Sequence, residues 1–252
     1  MINMAGKTVL ISGGSRGIGK AAALLFAEAG CDVALNYALK KWSAEEVKAQ
    51  IEKMGKKCLI YKCDVSAEKE VESMVESIME EWGRIDCLVN NAGIWTYGEM
   101  GEMGYDVWSE TMRINLDGVF FLCSFVVPVM KEQRSGNIVN VSSTAAVRGE
   151  SLHSHYAASK GAINSLTKSL AVELASYGIR VNCVTPGWTD TDMCTEVFQD
   201  EKYRRKVENS IPLGRVATSF DIAGPILFLA SDLARHITGE ILNVNGGSVL
   251  CG

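Results

Sequence analysis

The sequence predicts a single-domain, doubly wound α/β fold around a parallel sheet, and three observations carry that expectation. Short β-branched runs alternate with longer helical stretches along the chain. The runs are almost continuously apolar, as strands covered on both faces are, rather than alternating. A glycine-rich turn joins the first run to the first helical stretch.

The elements follow in order. Residues 8–12 read as a strand and 17–29 as a helix, then 33–37 as a strand and 44–54 as a helix. A third strand over 58–63 precedes a helix over 67–82, and a fourth over 87–90 precedes a long helix near 107–133. Strand 138–141 leads to helix 156–175, strand 179–184 stands sixth, and helix 220–230 precedes a last strand over 241–244. Only 186–216 falls outside this rhythm. Ligands in such sheets sit beyond the carboxyl ends of the strands, so an insertion after the sixth strand is placed to act as a short lid. No linker or repeat interrupts the pattern, and 1–252 reads as one domain.

Composition narrows the function classes. A chain of 252 residues supports one substantial core, and 47% hydrophobic with 22% charged residues excludes a disordered or low-complexity protein. The net charge of −5 comes without a basic block, which argues against a nucleic-acid surface. The cluster Lys202, Arg204, Arg205 and Lys206 reads as a solvated helix face. The longest apolar run, 119–130, is broken by Ser124 and Pro128 and is too short to span a bilayer. With no charged-then-apolar leader before the first strand, a cytoplasmic protein without membrane association is expected. The eight cysteines form no Cys-x-x-Cys pair, so they read as core residues, with neither a disulfide frame nor a metal site.

The first strand ends in Ser12-Gly13-Gly14-Ser15-Arg16-Gly17-Ile18-Gly19. Glycines there let backbone approach a pyrophosphate, whose charge the free amides and positive end of the next helix hold. The spacing Gly-x-x-x-Gly-x-Gly differs from the commoner Gly-x-Gly-x-x-Gly. In this Rossmann-type arrangement an acid at the end of the second strand binds the ribose 2′-hydroxyl of NAD. Here Asn36 or Tyr37 takes that place, and no acid follows until Glu45. Arg16, with Lys40 and Lys41 beyond the strand, can instead pair with a 2′-phosphate. The expectation is NADP over NAD.

Tyr156 and Lys160, four residues apart in a helical stretch, share one helix face. A tyrosine titrates near pKa ~10, too high for a good base at neutral pH. An ammonium about 4 Å away at an effective dielectric of about 20 favours the phenolate by ~4 kcal/mol. At about 1.36 kcal/mol per unit, that brings the phenol close to three units nearer the working pH before solvent screening. Upstream, Gly136-Asn137-Ile138-Val139-Asn140-Val141-Ser142-Ser143 is a buried-type strand ending in two serines, either placed to hold a substrate oxygen.

With these motifs the chain resembles the short-chain dehydrogenase/reductase family along nearly its whole length. The resemblance takes in the glycine turn, Asn90-Asn91-Ala92-Gly93, Asn115 in Ile114-Asn115-Leu116-Asp117-Gly118, Ser143, Tyr156, Lys160, Pro186-Gly187, Thr191-Asp192-Met193, and Thr238-Gly239-Glu240 to Asn245-Gly246-Gly247. Ser12 stands where the family has threonine and keeps the hydroxyl. The resemblance implies that Tyr156 exchanges the proton with the substrate oxygen, that Lys160 binds the nicotinamide ribose and lowers the tyrosine pKa, and that Ser143 rather than Ser142 holds that oxygen. It implies that Asn115 kinks its helix and holds a water behind Lys160. Asp64 and Val65 would contact the adenine. The backbone of Asn91, Ala92 and Gly93 would line the cofactor, Pro186, Gly187 and Thr189 would also bind it, and Thr191 would reach its carboxamide or phosphates. The alternative uses remain a helix kink for Asn115 and a helix cap for Asp64.

Within the family the nearest resemblance is to the 3-oxoacyl-[acyl-carrier-protein] reductases, through Val181-Asn182-Cys183-Val184-Thr185-Pro186-Gly187 and Pro212-Leu213-Gly214-Arg215. It implies an acyl-thioester substrate and possible carrier-protein docking. Arg134 matches one basic docking position, but Tyr177 replaces the second, which weakens that reading. Trp95, Tyr97 and Trp188 could stack on a sugar or sterol ring or simply pack under the lid, so a sugar, polyol or hydroxysteroid dehydrogenase is the alternative. His153 and His155 read as loop residues near the site. A non-catalytic NADP sensor is the reading of another class, opposed by Asn115, Ser143, Tyr156 and Lys160 together. A homotetramer is implied by the resemblance alone.

Overall fold

The computed structural model describes residues 2–250. Its first half runs β1 (Thr8–Ile11), α1 (Gly17–Glu28), β2 (Asp32–Tyr37), α2 (Lys41–Lys53), β3 (Cys58–Lys62), α3 (Glu68–Trp82) and β4 (Cys87–Asn90). It continues through α4 (Tyr105–Met112), α5 (Gly118–Gln133), β5 (Gly136–Val141), α6 (Ala145–Arg148), α7 (Ser154–Leu174) and β6 (Ile179–Pro186). The lid helices α8 (Thr195–Phe198) and α9 (Glu201–Asn209), then α10 (Ser219–Ala230) and β7 (Ile241–Val244), complete the chain. All strand pairs are parallel, in the order β3-β2-β1-β4-β5-β6-β7. The sheet grows outward in both directions from β1, so the crevice beyond β1 and β4 is the switch point at which ligands bind in this architecture.

Both faces of the sheet are buried, which explains the unbroken apolar runs. In β1, Val9 and Ile11 face α1, α2 and α10, while Leu10 faces α3, α5 and α7. All three are at most 1% exposed. A buried polar chain crosses the second layer: Asn90 donates to Asn140, Asn140 to Thr167, and Thr167 to the carbonyl of Ile163, at 2.8–2.9 Å. This chain ties β4 and β5 to α7, with Asn90 Oδ1 left buried without a partner among the described residues.

Two expectations need correction. The long helix expected over 107–133 is split by a π-helical turn at Arg113–Asp117, which turns the fully buried Asn115 inward. The apolar run also understated this region. Tyr105–Gln133 forms 29 helical residues, and an 18-residue stretch of it has a mean hydropathy of 1.6, long and apolar enough to cross a bilayer. Here it is a core element, with Leu122, Val126 and Met130 packed beneath the sheet. The lid carries short helices. It has its own apolar cluster of Cys194, Phe198, Val207, Ile211 and Val216, with Trp188 against it. Asp200 caps α9 by accepting from the amides of Lys202 and Tyr203. The seven cysteines among the described residues are buried and free.

Candidate active site

The glycine turn is braced from three sides. The Ser12 hydroxyl accepts from the amides of Asn91 (2.9 Å) and Ala92 (3.0 Å), and the Asn91 side chain donates to the carbonyls of Ser12 and Gly13. Gly13 and Gly17 have φ of 65° and 54°, in the left-handed region that favours glycine. A Cβ on Gly19 would overlap the Gly13 carbonyl, and one on Gly13 would lie 3.1 Å from Ala92. Ser15 is buried, Ile18 packs partly into the core, and Arg16 is exposed. Helix α1 begins without a side-chain cap and without an acid in its first turn, so its amide end is open to an anion. These residues fit the pyrophosphate of a nicotinamide dinucleotide.

At the adenosine end the structure revises one assignment. Asn36 is 2% exposed. Its carbonyl oxygen accepts from the Gly13 amide at 2.7 Å, and its amide donates to Cys63 at 2.7 Å. It is therefore a brace for the turn instead of a ribose contact, and Tyr37 beside it packs into the first core layer. Lys41 pairs with Glu45 along its own helix. Arg16 and Lys40 remain at the crevice mouth, and both lie against Asp192 of the lid. Asp64 accepts from the amide and hydroxyl of Ser66 through one carboxylate oxygen, a turn leading into α3. Val65 is buried against the start of α5. At the other end, Pro186 closes β6 and Gly187 donates to Val244. Thr189 donates to the Gly187 carbonyl, and Thr191 packs beside Gly17.

Tyr156, Ser143, Lys160 and Asn115 converge beyond β4 and β5. Ser142 is spent on the carbonyl of Lys160, whereas the hydroxyl of the half-buried Ser143 accepts only from the Ala145 amide and reaches Tyr156. Asn115 clamps both backbone groups of Ile94 and donates to Ser159. The expected ammonium–phenol pairing is not made. Lys160 Nζ lies 5.8 Å from the centre of the Tyr156 ring and donates to the Val141 carbonyl at 2.9 Å. Burial pushes the Tyr156 hydroxyl well above its ordinary value, with the Ser143 hydrogen bond pulling down and the charge of Glu150 adding to the rise. Burial lowers Lys160 to about 8. Helix spacing brings the two groups to one face, but the removal of both from water outweighs their mutual attraction.

The crevice wall is aromatic. Trp95 stacks flat on His153, with centroids 4.4 Å apart and planes 4° apart, and meets the edge of Trp188 at 5.9 Å. Trp188 in turn packs on Phe198 and Tyr203 of the lid. His155 is fully buried and bonded to Thr96, so it is a structural residue. Glu150, absent from the sequence reading, is half-buried beside this wall. Burial raises its carboxyl pKa, offset in part by His153, Arg148 and a hydrogen bond from the Trp95 indole. An isolated acid six residues before Tyr156 carries no periodic signal that could have marked it.

A family model described as "Enoyl-(Acyl carrier protein) reductase" matches residues 13–248. The chain is 40% identical over 243 residues to the L-rhamnose 1-dehydrogenase (NAD(P)(+)) of Sphingomonas sp. (strain SKA58), covering 96% of each chain. It is 41% identical over 241 residues to a 3-oxoacyl-[acyl-carrier-protein] reductase of Staphylococcus aureus (strain Mu50), covering 96% of this chain and 97% of that one. A solved Brucella melitensis structure, described as a short-chain dehydrogenase/reductase of the glucose/ribitol dehydrogenase type, superposes with a TM-score of 0.92 at 36% identity over 99% of both chains. The chain belongs to the short-chain dehydrogenase/reductase family, as an oxidoreductase that acts on CH–OH groups with a nicotinamide dinucleotide.

Proposed function

We propose that this enzyme interconverts the secondary alcohol and carbonyl of a small polyhydroxylated substrate, a sugar or polyol, using NADP(H). The observation that carries the substrate class is Glu150, a half-buried carboxylate whose charge is felt at the Tyr156 hydroxyl, set beside the Trp95–His153 stack. A carboxylate accepts hydrogen bonds from neighbouring hydroxyls, and a flat aromatic face covers the apolar side of a sugar ring. Support for the cofactor comes from Arg16 and Lys40 at the crevice mouth and from the absence of an acid at the end of β2.

When bound, the nicotinamide supplies or accepts the hydride. The Gly13–Gly19 backbone and the amide end of α1 would hold the pyrophosphate, and Arg16 and Lys40 would face the 2′-phosphate. Tyr156 gives its proton to the substrate oxygen in reduction and takes it in oxidation, while Ser143 donates to the same oxygen. Lys160 would hold the nicotinamide ribose, and its charge brought near the tyrosine would oppose the effect of burial. Asn115 fixes the Ile94 backbone beside Lys160.

A 3-oxoacyl thioester, the first choice from sequence, is the second reading, favoured by the name of the Staphylococcus aureus relative. Carrier docking has weaker support, because Lys131 and Arg134 are held against the Tyr177 ring at 4.7 and 5.3 Å. A homotetramer remains part of the proposal, supported by apolar side chains left exposed on α5 (Phe120) and α7 (Val172). The test is a panel of aldoses, polyols, hydroxysteroids and 3-oxoacyl thioesters assayed with both cofactors. Polyol or aldose turnover is expected, with Glu150→Gln raising KM for that substrate at least fivefold and leaving cofactor affinity unchanged. Turnover of thioesters alone, unaffected by the substitution, would remove the polyol reading.

A further inference from the structure

Three segments far apart in sequence meet at one exposed carboxylate oxygen. Asp192 Oδ2, on the lid, lies 3.2 Å from Arg16 Nη1 of the glycine turn and 3.6 Å from Lys40 Nζ beyond β2. Among the described residues neither cation has another acidic partner. The side chains of Arg16, Lys40 and Asp192 are 53%, 58% and 54% exposed, so the contacts can exchange with solvent and with ligands. We propose that Asp192 is an internal occupant of the 2′-phosphate site and thereby sets how strongly the enzyme prefers NADP over NAD. The inference rests on the reading that Arg16 and Lys40 face the 2′-phosphate.

The charge arithmetic gives the direction. Two cations share one monoanionic carboxylate, so a phosphate of charge near −2 competes for them successfully. It must still displace or neutralise Asp192 to do so. The uncharged 2′-hydroxyl of NAD makes no such demand and leaves the ion pairs closed. Asp192 therefore penalises NADP alone and narrows a preference that Arg16 and Lys40 create. The position of Asp192 also couples the choice to the lid. It opens the 3-10 turn Asp192–Cys194, directly after Thr191, which packs beside Gly17. Release of the carboxylate removes an anchor between the lid and the crevice mouth only when NADP is bound.

The test measures dissociation constants of NADPH and NADH by fluorescence titration for the parent, Asp192→Asn and Arg16→Ala. Two exposed ion pairs of ordinary strength correspond to a factor of about two to ten. Asp192→Asn is expected to tighten NADPH by that factor, to leave NADH within about twofold, and to lose the gain in high salt. Trypsin should cut the lid of the parent near Arg204 and Arg205 faster with NADPH than with NADH, and Asp192→Asn should abolish the difference. An equal change for both cofactors, the mark of a merely structural role, overturns the proposal. So does unchanged NADPH affinity in Asp192→Asn while Arg16→Ala weakens it, a result that leaves the 2′-phosphate reading intact. If Arg16→Ala shifts neither cofactor relative to the other, that reading fails and takes the proposal with it.

Discussion

Replacing Ser12 by alanine removes one oxygen that holds two backbone amides. The hydroxyl of Ser12, itself 1% exposed, accepts from Asn91 at 2.9 Å and Ala92 at 3.0 Å. These bonds lock the strand β4 exit to the glycine turn. A buried donor left without a partner costs about 1–3 kcal/mol. Both amides border the crevice, where water can replace part of the lost bonding, so the pair together should cost about 3 kcal/mol. For a chain of 252 residues each kcal/mol lowers Tm by about 2–4 °C, giving a fall of about 6–12 °C. Calorimetry on Ser12→Ala measures it, with Ser12→Thr as the control that keeps the acceptor and should retain most of the stability. A Tm for Ser12→Ala within about 2 °C of the parent would show that the hydroxyl does not carry the turn.

Two further outcomes are expected. Tyr156→Phe removes the transferable proton and should lower kcat by about 10²–10⁴ while NADPH affinity stays unchanged, and stopped-flow hydride transfer at the parent rate would refute the role. Burial lowers Lys160 from 10.5 to about 8, so between those pH values the unfolded chain binds more protons than the native one. The buried amine therefore destabilises fully below pH 8, and its cost is relieved as pH rises towards 10.5. Urea unfolding should show the parent gaining about 3 kcal/mol on Lys160→Met across that window, and a pH-independent difference would contradict the burial of a titrating amine.

The fold was legible because its signals are local. Unbroken apolar strands, helical periodicity and glycines at a strand-to-helix turn are properties of neighbouring residues, and the strand order then follows from few allowed topologies. The same holds for Tyr156 and Lys160, whose shared face is a consequence of helix pitch. The π-turn at Asn115 was legible only as a resemblance to a family, because no period in the sequence marks it.

Other features depended on contacts across the chain. Asn36 looked like a ribose contact from its place at the end of β2, but the Gly13 amide and Cys63 carbonyl claim its side chain. Lys160 lay on the expected face, yet the Val141 carbonyl and burial determine its charge and reach. Asp192 meeting Arg16 and Lys40, and the charge of Glu150 acting on Tyr156, have no counterpart in spacing or composition. Helix pitch and strand pleat are set residue by residue along the backbone, so sequence determines which faces are apolar and where the chain turns. Hydrogen-bond partners and pKa values depend on which distant groups share a dry space, and only the packed molecule specifies that.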